Sequence, residues 1–153
     1  MSSAVRVAGP RAFPVVVALL VAVLTGCASD QERYCGAVRD HQAELSDLLA
    51  SGGDAALVDA LDVFRDLADS APPDVRDEWA LVNDRIATLA DTLAAAGVDP
   101  ASYDAEEPPA GLGADDRARI EDAARGLGAR ETQEALAAVE QQALDVCQTP
   151  LSI

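Results

Sequence analysis

Three thiols, one imidazole and many carboxylates are the groups in this 153-residue chain with reactivity to offer. Cys27, Cys35 and Cys147 supply the thiols, and each is a nucleophile only as the thiolate, so its surroundings decide what it does. Cys35 and Cys147 lie too far apart in sequence to form a Cys-x-x-Cys redox pair. His41 is the sole histidine and there is no lysine. Neither a Gly-x-Ser-x-Gly elbow nor a glycine-rich phosphate loop behind a strand occurs. This inventory predicts no catalytic residue, no resident metal and no cofactor.

Carboxylates cluster at Asp74, Asp77 and Glu78, at Glu106 and Glu107, and at Asp115 and Asp116. None has the spacing of a calcium loop. Asp and Glu near helix starts are accounted for by the positive end of the helix dipole. His41 falls on an apolar helical stripe, where a lone histidine reads as a hydrogen-bonded core or margin residue. Trp79 lies in a regular apolar seam, so packing is its expected role, and aromatics at 3% are too scarce for a sugar-stacking surface. Tyr103, in a Pro-rich stretch, is the aromatic expected to be exposed. With Glu106 and Glu107 it makes a candidate partner contact, and folding back onto the bundle outweighs that role for it.

Residues 1–14 carry Arg6 and Arg11 and no acid, and Val15 to Leu24 form an unbroken apolar run. A permanent membrane span needs about 20 apolar residues, so this run is short for one and has the layout of a secretory signal. At its end, Leu24, Thr25, Gly26 and Cys27 resemble the lipobox of bacterial lipoproteins: an aliphatic residue, two small residues and cysteine. The resemblance implies a diacylglycerol on Cys27 and cleavage just before it. Residues 1–26 are then a removed signal, residues 27–29 the anchor and tether, and the chain sits on the extracytoplasmic face of the cell membrane. The competing reading is an ordinary signal peptide that leaves Cys27 a free thiol.

Lipidation of Cys27 leaves Cys35 and Cys147, and in an oxidising compartment that pair is expected to form a disulfide. Closing a loop of about 100 residues stabilises a fold by roughly 4 to 5 kcal/mol in the chain-entropy account. Two free buried cysteines are the alternative. Together with the lipobox, the pair Tyr34 and Cys35, the run from Ala71 through Pro72, Pro73, Asp74, Val75, Arg76, Asp77 and Glu78 to Trp79, and the cysteine near the C-terminus look like the small helical lipoproteins of actinobacteria. That resemblance implies compartment and fold, and no biochemical activity.

Residues 1–26 hold two of the eleven basic residues and none of the 27 acids, so cleavage leaves nine bases against 27 acids, a net charge of −18. Such a chain is a poor ligand for nucleic acid, whose phosphates require a basic surface. It is also repelled by anionic headgroups, so the folded part is expected to stand off the bilayer on its anchor.

Apolar spacing is helical throughout, with no alternating strand pattern. The first helix is expected to start at Ser29, capped with Glu32, and to carry Tyr34, Val38, His41, Leu45 and Leu48 until Ser51, Gly52 and Gly53. A second, opened by Asp54, carries Leu57, Leu61, Phe64 and Ala68 and stops before Pro72 and Pro73. The third has the clearest seam, Val75, Trp79, Val82, Ile86, Leu89 and Leu93, and closes at Gly97. Residues 98–113 read as a loop between halves. Ile120, Ala124 and Leu127 then mark a short helix, and Leu136, Val139, Ala143 and Val146 another, out of phase with it across Gly126 and Gly128.

The fold class is therefore all-α, an antiparallel up-and-down bundle of four to five helices over residues 30–147, stapled by one disulfide, with residues 148–153 as a C-terminal tail. Such a bundle returns the last helix's end to the first helix's start, which is where Cys147 and Cys35 lie. The functional expectation is a non-catalytic envelope lipoprotein that contacts the membrane through Cys27 and an unidentified envelope protein through its surface. The alternative is a small-ligand or metal-ion carrier, which requires a cavity.

Overall fold

The computed structural model describes residues 13–50 and 55–151, with side chains from Asp30 onward. Among the described residues every regular element is helical. Helix α1 spans Phe13–Ala50 and continues without a break through Ser29. The expected start at Ser29 is therefore corrected: nothing between Leu24 and Ser29 stops a helix, because Gly26 costs only about 1 kcal/mol in a helix interior and no proline intervenes. In the uncleaved chain Ala28 and Ser29 are helical rather than an extended tether, and the Ser29–Glu32 capping box has no helix end to cap. Tyr34, Val38 and Leu45 are fully buried on one face of α1. Ser51, Gly52, Gly53 and Asp54 lie outside the described residues.

The second arm is divided into α2 (Ala56–Asp59) and α3 (Leu61–Ser70) at the fully buried Ala60, whose ψ of −3° flattens the turn. Leu61, Phe64 and Leu67 form its buried face. The arm ends where it must: Ala71 precedes a proline and takes an extended conformation (φ −61°, ψ 135°). The Ser70 hydroxyl donates to the Leu67 carbonyl at 3.0 Å in the last turn.

Helix α4 (Arg76–Ala95) opens on Asp77 and Glu78 and buries all five of its seam residues, with Val75 buried just ahead of it. Gly97, at φ +68°, closes it. Its N–H donates to the Ala94 carbonyl and that of Val98 to the Leu93 carbonyl, both at 3.0 Å, which satisfies two of the helix's orphan carbonyls. In the loop that follows, Asp99 accepts from the Ala101 N–H at 3.0 Å at the start of a single turn, Pro100–Ser102.

The return arm is one path broken in the middle, α5 (Ala114–Leu127) followed by α6 (Arg130–Gln142) and a wide terminal turn, Ala143–Cys147. The buried Thr132 donates its hydroxyl to the Gly126 carbonyl at 2.9 Å across the break. Helix α4 is the hub, packed against α3, α5 and α6, while α1 packs on α3 and on the terminal turn. Ile120 of α5 joins Leu89 and Leu93 near the far end of α4, while Val139 of α6 and Ala143 of the terminal turn join the main core. The arms thus run up, down, up and down.

Cys35 and Cys147 are disulfide-bonded, with Cα atoms 5.1 Å apart and a sequence separation of 112. Residues 148–151 do not trail as a tail. Leu151 is fully buried in the main core, and Gln42 donates to the Pro150 carbonyl at 3.4 Å. Gln148 makes the reversal in the left-handed region at φ 55°.

Candidate functional site

Helix α1 carries Leu24, Thr25, Gly26 and Cys27. Cys27 precedes Cys35 by eight positions, about 12 Å along a helix axis at about 1.5 Å per residue. Leu24, Thr25, Gly26 and Cys27 therefore lie beyond the end of the bundle closed by the disulfide. No helix among the described residues is long and apolar enough to cross a membrane. With Cys35 and Cys147 bonded to each other, neither is available as a nucleophile.

His41 does meet two carboxylates. Its Nδ1 lies 3.3 Å from Glu44 and its Nε2 3.6 Å from Asp66 of α3. Both acids keep well over half of their side chains in solvent, at 59% and 69% exposure, so the imidazole ties α1 to α3 at the bundle margin rather than lining a cleft. Among the described residues no group of three potential metal ligands comes together. Asp77 and Glu78 occupy the first turn of α4, and Asp115 and Asp116 that of α5, where Asp116 also pairs with Arg119.

Trp79 is a core residue, as its place in the seam predicts. Its indole N–H donates to the Tyr34 hydroxyl at 3.1 Å, and its ring sits 5.8 Å from that of Phe64. Burial pushes the Tyr34 hydroxyl above the ordinary phenol range, the bond from Trp79 opposes this, and the negative charge of Asp74 adds to it.

Of the two positions weighed for Tyr103, the structure has the one folded back on the bundle rather than the exposed one. Tyr103 is half-buried and folds back onto Leu89, Leu93 and Ile120. The small core at this end, Leu89, Leu93 and Ile120, takes Tyr103 as a partly buried neighbour together with Val98 and Leu112. Glu106 and Glu107 remain exposed, their backbone N–H groups held by Asp104 Oδ1 at 2.7 and 3.2 Å.

Beneath that loop runs an apolar groove of about 430 Å³. Leu89, Leu93 and Ile120 floor it, Leu57 of α2 and Leu127 of α5 form its sides, and Tyr103 bounds it on the loop side. A second opening continues past Tyr103 and Ala105 to Glu121 and Arg125 of α5. Gln133 and the Tyr103 hydroxyl are the polar side-chain groups at the first opening. The arrangement offers apolar area beside a loop of exposed acids, not a nucleophile with a base.

Sequence reasoning named Tyr103 and missed the groove, whose lining comes from five separate segments. The available signal was the stripe Ile120, Ala124, Leu127, which continues α4's apolar end where the loop has little to cover it. No family model matches the chain, and neither does any curated protein or solved structure.

Proposed function

We propose that the chain is an exported lipoprotein, held on the outer face of a bacterial cytoplasmic membrane by a lipid on Cys27, that works without catalysis by presenting the far end of its bundle to an envelope protein. The observation that carries this reading is the pairing of Cys35 with Cys147, which leaves Cys27 as the one cysteine outside the bond. Disulfides persist in oxidising compartments, and the unpaired thiol is the one that ends the Leu24-Thr25-Gly26-Cys27 run. The resemblance to small helical lipoproteins of actinobacteria points the same way.

The topology supports a direction for the surface. Cys27 and the disulfide share one end of the bundle, while the groove lies toward the Leu93 end of α4, so a lipid on Cys27 turns the groove away from the bilayer. The acidic charge of the mature chain opposes its lying on anionic headgroups.

A second reading, a carrier of a small apolar ligand, is favoured by the volume of the groove, since ligand pockets span about 300 to 1,000 Å³. Cross-linking in intact cells separates the two. The first reading expects one envelope protein to be captured reproducibly, and capture to fall when Tyr103 is replaced by alanine. Capture of nothing, together with an apolar small molecule extracted from the purified protein, favours the second. Loss of fatty-acid labelling in Cys27→Ala tests the anchor.

A further inference from the structure

The loop that lines one side of the groove through Pro100, Tyr103 and Ala105 carries charge of one sign only. Residues 98–113 contain Asp99, Asp104, Glu106 and Glu107 and no basic residue. Among the described residues none of these four pairs with a base. Across the groove Glu121 adds a further carboxylate, while the one cation lining the opening, Arg125, is already bound to Asp122 at 2.9 Å. An apolar floor inside an anionic rim has a complement of definite chemistry.

We propose that the groove takes a cationic amphipathic segment of a protein, with large apolar side chains on the Leu89, Leu93 and Ile120 floor and Lys or Arg side chains against the carboxylates of the loop. This rests on the reading of the chain as a protein-binding lipoprotein and adds the chemistry of the partner. A second copy of this chain is a poor occupant, because at net charge −16 it would bring acids to acids. A neutral small molecule would use the floor and leave the rim without a role. Apolar contacts give the segment its affinity, and the rim sets encounter rate and register.

The test uses the full acylated chain in nanodiscs of neutral phosphatidylcholine, with empty discs as background. The probe is a fluorescein-labelled amphipathic helix-forming peptide of leucine and lysine, read by polarisation beside counterparts with glutamate for lysine and serine for leucine. The leucine–lysine peptide is expected to bind and the other two not. Asp104→Asn, Glu106→Gln and Glu107→Gln together keep the turn at Asp104 and should weaken binding about fivefold at low salt, a difference that closes at high salt. Tyr103→Ala should weaken it about tenfold, with helicity by circular dichroism unchanged. Equal binding of the leucine–glutamate peptide, or no effect of the triple variant, overturns charge recognition while leaving the groove as the docking site. No effect of Tyr103→Ala overturns the groove itself. No binding of the leucine–lysine peptide overturns the proposal, and reproducible capture of an envelope protein in cross-linked cells would then leave the broader reading standing.

Discussion

The indole N–H of Trp79 donates to the hydroxyl of Tyr34 at 3.1 Å, and both side chains are fully buried between α1 and α4. This single bond joins the first helix to the hub one position away from the disulfide. Tyr34→Phe leaves the Trp79 donor without its partner inside the core, which costs about 1 to 3 kcal/mol. Urea unfolding of Tyr34→Phe, Trp79→Phe and the double variant should give a favourable coupling between the two sites, and strict additivity would contradict the bond.

The same pair makes stability fall at alkaline pH. The folded-state pKa of Tyr34 lies above its ordinary value of 10.0, with burial as the main cause. The neutral phenol is thus the form that the fold favours, and its contribution is fully present below about pH 10. As pH rises past that value the unfolded chain loses the proton first, so stability declines until the folded-state pKa is passed. Denaturation midpoints followed upward from neutral pH should show this decline in the native chain and a smaller one in Tyr34→Phe.

The disulfide closes a loop over 112 positions, and the chain-entropy account assigns about 4 to 5 kcal/mol to it. That is a large share of the about 5 to 15 kcal/mol typical of a domain. Cys35→Ser/Cys147→Ser should therefore unfold at much lower urea, and the native chain under reductant should behave like the variant. Equal midpoints with and without reductant would contradict this role.

Gly97 and Gly111 should respond differently to alanine. A Cβ meets nothing within 4 Å at either position, but Gly97 alone holds a left-handed φ, +68°. Gly97→Ala should cost about 1 to 2 kcal/mol from the backbone alone. Gly111→Ala should stay within about 0.5 kcal/mol of the native chain. Thermal unfolding of the two variants checks the contrast.

The parts of the fold that depend on local periodicity were legible in the residues. The seam from Val75 to Leu93 is buried at every position, because its spacing follows the helix repeat and its ends are marked by Pro73 and Gly97. The Cys35–Cys147 pairing followed from the thiol count together with the topology. What depends on distant contacts was not legible. Nothing near Leu151 announces that it completes the core, since one apolar residue has no period. That Tyr103 folds back was the weightier expectation, but its partners Ile120 and Leu93, distant in sequence, were not legible. The helix start at Ser29 was misplaced because a good cap residue says nothing about whether the helix before it ends. The groove needed residues 57, 89, 93, 120 and 127 brought together, which only the packing of α2, α4 and α5 achieves.

The account as a whole depends on the fate of Cys27. Mass spectrometry of the N-terminal peptide from protein isolated from its own cell membranes tests it most directly. The expected result is a chain that begins at Cys27 with a diacylglycerol on its sulfur and with Cys35 linked to Cys147. A chain that still begins at Met1, or one with an unmodified Cys27 thiol, would contradict it.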